Sequence, residues 1–377
     1  MLTKTHTIIT CPEILTMDDE HPTAEAVCIS EETIQAVGTL AELRAFAPQG
    51  TAEIHFKEGV LLPGFIDSHS HLSMYAQCRT QFFCNNDYGT VESLLAAFRE
   101  HAAAQPDAEW VLGYCYDDTG LAEQRHLTRH DLDAVCADRP VFVSHITSHM
   151  GYGNTLALEK LGVTADLSIE GGKIMIGADG KPEGLLKENA YFAMFQKIPS
   201  CSPKQLPKMI EQAIVDYNRA GFTMFQDGGI GLSNGPHAIL RAYNTLAREA
   251  RMNARGYLHF MSNIMDEMLE RGTWNLPVST YLYYGGVKSF ADGSIQSLTA
   301  VLGEPYACKP GFCGDHVLTP EQISDLIVKY HCKGVPVAFH ANGDAAIEFV
   351  LQGFEKALKL YPKRVPGDMI IHVQMAS

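Results

Sequence analysis

The residues best suited to chemistry in this sequence are histidines that directly follow apolar runs. Residues 59–67 read GVLLPGFID and lead into Ser-His-Ser-His, which places His69 and His71 two positions apart. Side chains two apart on a strand point to the same side, so both imidazoles project together. Two neutral imidazoles on one face suit a divalent ion such as zinc, while a structural polar pair is the alternative.

Two further histidines end apolar runs in the same way. His340 follows VPVAF, and His372 follows MII. A single histidine at a strand end is typical of a hydrogen-bonded structural residue, but three such strand ends favour a shared metal centre. The carboxyl ends of parallel strands are also where α/β proteins hold their active sites.

Lys288 is the remaining candidate, because it interrupts the apolar run GGVKSFADG. By strand parity its side chain shares a face with Phe290 and Asp292. A buried lysine is destabilising unless it is paired or chemically altered. Taken alone, these residues favour an ion pair between Lys288 and Asp292.

Alternating strands and helices would position these residues. Apolar runs predict strands near 60–67 and at 222–226, 254–260, 286–291, 335–340 and 369–372. Between them, helices are predicted at 203–220, 238–251, 320–334 and 345–361. Thr319 is the predicted N-cap of the helix at 320–334. This alternation predicts an α/β fold with a parallel sheet, either a barrel or a doubly wound sheet.

Two segments depart from this alternation. Residues 1–58 contain short β-branched runs and predict part of a small β domain, whereas residues 59–377 form the barrel. Residues 75–200 read as an insertion over the active-site end, with a hairpin that turns at Asp179-Gly180. The aromatic side chains of this insertion either bind an apolar or aromatic group of the substrate or form a small core of the insertion itself. The sequence slightly favours the core.

The composition of the chain argues against several classes of protein. The chain has 377 residues, with 29 Lys+Arg against 44 Asp+Glu, a formal net charge of -15 and no long basic run. This balance argues against a nucleic-acid surface. No stretch has the length of a signal peptide or a membrane span, and the ten cysteines form no CxxC pair. We therefore expect a cytoplasmic protein without membrane contact and with reduced thiols.

Four motifs together resemble a known family. GFIDSHSHL, VKSFADGS, AFHANGDAA and IIHVQ occur in the order and spacing of the amidohydrolase superfamily. Within it, the chain is similar to amidohydrolase family 3, which includes enzymes like N-substituted formamide deformylase. The resemblance covers nearly the whole chain. It implies a (β/α)8 TIM barrel, with the N-terminal segment in a small β-sandwich, that holds one or two divalent ions, usually zinc.

The resemblance also implies roles for individual residues. His69 and His71 match the ligands of the more buried metal, and His340 and His372 match the ligands of a second metal. Lys288 matches a lysine that carbon dioxide converts to a carbamate bridging two metals, so Lys288 and His340 are the expected catalytic residues. His149 matches a position near the substrate, and Asp292 a group that supports the metal ligands.

The chemistry implied by this resemblance is hydrolysis of a small-molecule amide or cyclic amide. Paired ions lower the pKa of bound water and polarise the carbonyl group of the C–N bond. A deaminase on the same scaffold is the alternative reaction.

In such enzymes an aspartate at the end of the eighth strand moves the proton. The sequence provides about six barrel strands and no match to this aspartate. We therefore expect an incomplete barrel from a truncated enzyme, which is either catalytically inactive or completed by a C-terminal segment or another copy of the chain.

Overall fold

The computed structural model describes residues 6–84, 88–198, 203–232, 235–274 and 279–376. In chain order the strands are β1 (His6–Thr10), β2 (Glu13–Ile14), β3 (Ala26–Ser30), β4 (Thr33–Gly38), β5 (Ala52–His55), β6 (Val60–Leu61), β7 (Phe65–Ser70), β8 (Phe82–Phe83), β9 (Val111–Tyr116), β10 (Val141–His145), β11 (Met150–Gly153), β12 (Gly172–Ile176), β13 (Pro182–Glu188), β14 (Phe222–Ile230), β15 (Arg255–Met261), β16 (Leu282–Phe290), β17 (Val337–Ala341) and β18 (Met369–His372).

The helices occupy most of the intervals between these strands. In chain order they are α1 (Leu40–Phe46), α2 (Leu72–Cys78), α3 (Val91–Ala103), α4 (Arg129–Asp133), α5 (Thr155–Leu161), α6 (Asn189–Phe195), α7 (Leu206–Arg219), α8 (Pro236–Arg248), α9 (Ser262–Glu270), α10 (Pro320–His331) and α11 (Asp344–Leu360). The chain divides into two compact units, one up to Ile66 together with Gly221–Thr223, and one formed by the remainder.

The first unit is a small β structure. Its main sheet has the strand order β4-β3-β1-β5, and β2 pairs with β6. Helix α1 begins at a capping box in which Thr39 and Glu42 each bond the other's backbone N–H. Leu43 from this helix is buried with Ile8 of β1. A small apolar core therefore joins the sheet to its helix.

In the second unit a six-stranded sheet carries the predicted parallel strands. Its order is β18-β17-β16-β15-β14-β7, and the register is parallel between each pair from β14 to β18. Strands that follow one another in sequence therefore also neighbour one another in space, which is the order of a (β/α) barrel. Six such strands fit the predicted incomplete TIM-type barrel.

Local sequence explains where these elements begin and end. Thr319 forms a capping box with Gln322, and Pro320 occupies the first turn, so α10 starts where predicted. The helix ends at His331 rather than residue 334, because Gly334 has a φ of 70° and leaves the helical conformation. Strand β14 runs past the predicted end at Gln226, since two glycines form a bulge in it before its pairing with β15 resumes.

The insertion forms a second sheet of six strands, with the order β12-β13-β11-β10-β9-β8. The predicted hairpin is present, because β12 and β13 pair antiparallel around Gly180. Phe82, Tyr116 and Tyr152 are buried in one apolar cluster of this segment. These three aromatic side chains therefore form part of a core of the insertion itself, which is the alternative that the sequence slightly favours.

Two negative findings concern only the described parts of the chain. Among their helices, none combines the length and apolar character needed to cross a bilayer. The nine cysteines in these parts are all free thiols.

Candidate metal centre

The histidines and the lysine singled out in the sequence meet at the carboxyl end of the parallel sheet. His69 lies in β7, Lys288 in β16, His340 in β17 and His372 at the end of β18, while His71 is the N-cap residue of α2. The ring centre of His69 is 5.1 Å from that of His71 and 5.3 Å from that of His372. The rings of His340 and His372 are 4.7 Å apart.

The hydrogen bonds of His69 determine which of its nitrogens is free. Nε2 of Gln226 donates to the Sδ atom of Met369 at 3.5 Å, so the amide oxygen of Gln226 faces Nδ1 of His69 at 3.2 Å. An amide oxygen only accepts, and Nδ1 therefore carries the proton of the neutral ring. Nε2 of His69 is buried and has no hydrogen-bond partner. Its lone pair is available to a metal.

The rings of His340 and His372 are positioned by the backbone. Nε2 of His340 lies 2.9 Å from the carbonyl oxygen of Gly293 and 3.0 Å from Nδ2 of Asn342. His372 pairs in register with Ala341 and would share its face on a regular strand. The φ of His372 is instead 76°, a left-handed conformation that brings its ring to that of His340.

Lys288 is buried without a carboxylate partner. Its side chain is 1% exposed, and its Nζ lies 5.0 Å from the ring centre of Phe290. Burial lowers the pKa of Lys288 to about 7. Among the described residues, no ion pair reaches Lys288, so the alternative pairing with Asp292 is wrong. The chain thus holds an amine that is partly neutral at pH 7 among histidines.

Asp292 is instead occupied by backbone N–H groups. Its two oxygens accept from the backbone nitrogens of Asn342 at 3.0 Å, Val301 at 3.0 Å and Gly343 at 2.8 Å. One of these oxygens lies 3.8 Å from Nε2 of His340. The carboxylate therefore holds the turn after His340.

Burial is also the main cause of the low basicity of the imidazoles. It lowers the pKa of His69 to about 4 and the pKa values of His71 and His340 to about 3, and the charge of Lys288 adds to this. The rings are therefore neutral at pH 7, which is the form that binds a metal.

These residues fit a divalent metal ion. Nε2 of His69 and Nδ1 of His71 are both buried without a hydrogen-bond partner. A buried polar atom without a partner destabilises a fold by about 1–3 kcal/mol, and a metal would satisfy both atoms at once. Nitrogen ligands of this type suit zinc and other first-row ions.

His149 comes from the insertion and is held by Glu188. Nδ1 of His149 lies 2.9 Å from Oε2 of Glu188, and the backbone N–H of Glu188 donates to the carbonyl oxygen of His149 at 2.8 Å. Glu188 has a φ of 51° and a ψ of -128°, a conformation that favours glycine. The charge of His149 also contributes to the low pKa of His340, after the larger effect of burial. His149 thus lies near enough to the barrel histidines to affect them.

Sequence reasoning missed three residues of this region: Gln226, Glu188 and His259. His259 lies in β15, is fully buried, and has no hydrogen-bond partner on either ring nitrogen. It follows the apolar run GYL much as His340 follows VPVAF, so the same signal could have found it. Glu188 carries no local signal, because only the pairing of β11 with β13 brings it to His149.

A second set of possible ligands lies in the insertion. Over the described residues, Asp117, Asp118 and His145 have ligand atoms that all lie within 4.8 Å of one another, closer than those of the barrel histidines. These groups already have protein partners. His145 bonds Asp118 at 3.1 Å and Thr147 at 2.9 Å, while Asp117 accepts from Thr119 at 2.7 Å. The set therefore forms a hydrogen-bonded network, whereas the barrel cluster keeps unpartnered buried nitrogens.

Comparison with known proteins identifies the family. The sequence profile of the amidohydrolase family matches residues 53–377. The chain belongs to the amidohydrolase family. This finding confirms the resemblance inferred from the four motifs, all of which lie within the matched residues.

Two relatives show how much of an amidohydrolase this chain represents. It is 31% identical to the amidohydrolase YtcJ of Bacillus subtilis (strain 168), over 96% of this chain and 68% of that protein. It is 27% identical to the N-substituted formamide deformylase of Arthrobacter pascens, over 91% of this chain and 64% of that enzyme. The amidohydrolase chain thus spans about two thirds of the length of these relatives.

Solved structures agree on the fold. An uncharacterised metal-dependent hydrolase from Pyrococcus horikoshii OT3 superposes with a TM-score of 0.75 at 22% identity, over 93% of this chain and 68% of that one. An uncharacterised metal-dependent hydrolase from Pyrococcus furiosus superposes with a TM-score of 0.73 at 24% identity, over 93% of this chain and 70% of that one. The barrel-type fold of this amidohydrolase is therefore shared with both.

Proposed function

We propose that this amidohydrolase is a metal-dependent hydrolase of non-peptide C–N bonds, with zinc as its ion. His69 and His71 hold the more buried ion, and His340 and His372 hold a second. The observation that carries the proposal is the buried cluster itself, in which His69 and His71 each keep a nitrogen without a hydrogen-bond partner and burial lowers the pKa of Lys288 to about 7. Two bound metal ions would supply a Lewis acid and a water molecule of lowered pKa.

Lys288 takes part as a carbamate in this proposal. Its pKa of about 7 leaves a large fraction of neutral amine at pH 7. The amine nitrogen forms a bond to the carbon of carbon dioxide and releases one proton, which yields an N-carboxylate anion. This change would turn the buried amine into an anionic oxygen ligand, whose charge bound metal ions would neutralise.

His149 binds the substrate in this proposal, and Glu188 orients it. The hydrogen bond to Glu188 places the proton of the neutral ring on Nδ1. Nε2 is then free to accept a hydrogen bond from a substrate N–H, or to donate one when the ring is protonated. Because His149 and Glu188 are 22% and 33% exposed, a small molecule can reach them.

The preference for C–N bonds rests on similarity. One relative is named N-substituted formamide deformylase, and an activated water beside a polarised carbonyl suits amide hydrolysis. We therefore propose small-molecule amides, formamides first, as the substrate class.

The test combines zinc analysis with turnover. The zinc-loaded chain is incubated with N-alkyl formamides, N-benzyl formamides and cyclic amides, and release of amine is measured. His69→Ala should lose both zinc and turnover, whereas His130→Ala, at an exposed ring on α4, should keep both. Turnover that survives in His69→Ala contradicts the proposal. Release of ammonia from an amino-heterocycle, without amide cleavage, assigns deaminase chemistry instead.

A further inference from the structure

Asp227 has a buried carboxyl group that the proposed metal centre does not use. It lies in β14 and is 1% exposed. Its Oδ2 atom accepts a hydrogen bond from the backbone N–H of Ser73 at 3.0 Å and another from the hydroxyl group of Tyr243 at 2.8 Å. Burying a carboxyl group is unfavourable unless hydrogen bonds compensate for the lost water. The two bonds tie Asp227 to the start of α2 and to α8.

The bond to Ser73 supplies a cap that α2 does not provide for itself. The first N–H groups of a helix have no partner within the helix, and the side chain of the N-cap residue usually accepts from the second or third of them. The N-cap residue of α2 is His71, and its side chain makes no such hydrogen bond. Ser73 is the second residue of α2, so Asp227 accepts from a group that an N-cap side chain would otherwise serve.

This arrangement leaves the ring of His71 free while its backbone is held. Nδ1 of His71 is buried and has no hydrogen-bond partner in the described parts of the chain. The carbonyl oxygen of His71 accepts from the backbone N–H of Tyr75 at 2.9 Å, so His71 belongs to the same first turn that Asp227 anchors. The position of this imidazole therefore depends on a carboxyl group of the neighbouring strand.

The residues on either side of Asp227 contact the other histidine of this site. Gln226 lies 3.2 Å from Nδ1 of His69 through its amide oxygen, and the ring of His69 lies against Gly228. The ring centres of His69 and His71 are 5.1 Å apart. Three consecutive residues at the end of β14 thus hold both histidines, two through the ring of His69 and one through the helix that follows His71.

We propose that Asp227 is a positioning residue for the more buried metal ion, because it fixes the first turn of α2 and with it the ring of His71. The inference deepens the proposed function and rests on it, since His71 is a metal ligand there. Without Asp227, the buried N–H of Ser73 would lose its acceptor, which is unfavourable unless the turn moves to find another. Such a movement would carry the imidazole of His71 away from its place beside His69.

The experiment measures zinc affinity rather than activity. Wild type, Asp227→Leu and Asp227→Asn are stripped of metal and titrated with Zn²⁺ against a chromophoric chelator. We expect the affinity of the tightest site to fall by about 10- to 100-fold in Asp227→Leu, the range for loss of a group that orients a ligand. Asp227→Asn keeps an oxygen that can accept from Ser73, and its affinity should stay within about threefold of wild type.

The visible spectrum of Co²⁺ bound in place of zinc is the second readout, because it reports the arrangement of the ligands. It should change in Asp227→Leu and not in Asp227→Asn. Tyr243→Phe is the matched control, since it removes the other hydrogen bond to the same oxygen and leaves the bond to Ser73. Urea unfolding measures the loss of stability in each variant, and Tyr243→Phe should lose stability but keep the zinc affinity and the cobalt spectrum of wild type.

The outcomes separate this inference from the proposed function. Zinc affinity of a folded Asp227→Leu within about threefold of wild type overturns the inference, and Asp227→Ala gives the same readout if the leucine variant does not fold. A loss in Asp227→Asn or Tyr243→Phe as large as that in Asp227→Leu also overturns it, because the acceptor for Ser73 would then not be what matters.

His69→Ala is titrated in parallel. If His69→Ala loses zinc and Asp227→Leu does not, only the role of Asp227 is refuted. If His69→Ala keeps zinc, the proposed metal centre itself fails.

Discussion

The imidazole of His69 lies against the backbone of Gly228, with no space for a side chain between them. A Cβ atom built on Gly228 would lie 2.3 Å from Cε1 and 2.7 Å from Nδ1 of His69. Contacts this short do not occur, so glycine is required for the ring to remain where it is. Strand β14 therefore shapes the candidate metal centre by the absence of a side chain.

Gly228→Ala should displace His69 and weaken zinc binding by at least about 10-fold, while the fold loses about 1–3 kcal/mol of stability through overpacking. Zinc titration and urea unfolding measure the two effects. Gly153→Ala is the matched control, since a Cβ there meets only side-chain atoms at 3.3 Å or more. Unchanged zinc affinity in a folded Gly228→Ala would show that the ring position does not matter.

Lys288→Met should abolish tight zinc binding and yet stabilise the metal-free protein. The pKa of Lys288 falls from 10.5 to about 7 on burial, which corresponds to a destabilisation on the order of 3–5 kcal/mol that methionine would not suffer. Urea unfolding of chelator-treated proteins measures this, with the exposed Lys356→Met as control. A less stable Lys288→Met would mean that the lysine has a favourable partner.

Acid should destabilise the metal-free chain through its buried imidazoles. The pKa of His259 is about 3 in the folded chain against 6.5 when unfolded, so below pH 6.5 the unfolded state binds the additional proton. The contribution of His259 to the free energy of unfolding is complete above pH 6.5 and decreases by about 2 kcal/mol by pH 5.

Comparing wild type with His259→Leu isolates the contribution of this ring to the acid sensitivity. Between pH 7 and pH 5, His259→Leu should lose about 2 kcal/mol less unfolding free energy than wild type, because the leucine does not titrate. Both are measured by urea unfolding without metal. Equal losses of unfolding free energy in the two proteins would contradict a neutral, buried His259.

Glu188→Gln should lower kcat by about 10- to 100-fold on any amide that the chain hydrolyses, with zinc content unchanged. The substitution removes the charge beside His149 but leaves the backbone hydrogen bond between these residues. Glu183→Gln, on the same strand, is the control. Loss of zinc from Glu188→Gln would instead assign this carboxylate to the metal centre.

The parallel strands and the main cluster follow from local patterns. An apolar run followed by histidine identifies the ends of β7, β17 and β18, because buried parallel strands need continuous apolar sequence and their carboxyl ends face the same edge. The N-cap at Thr319 and the Asp179-Gly180 turn follow from equally local rules.

The remaining features depend on pairing between distant strands. His149 meets Glu188 only because β11 pairs antiparallel with β13, and the setting of His259 depends on the bulge in β14. The pairing of Lys288 with Asp292 failed for a related reason. Alternation of faces holds within a strand, but β16 ends at Phe290, and Asp292 lies in the turn beyond it.

The backbone of Glu188 has a consequence for protein engineering. Its φ of 51° with ψ of -128° is easy for glycine and unfavourable for glutamate, by about 1–3 kcal/mol. Screens that select only for heat resistance will therefore favour glycine at this position and discard the carboxylate. Directed evolution of this scaffold needs a selection that reports turnover as well, since stability and activity are opposed at this residue.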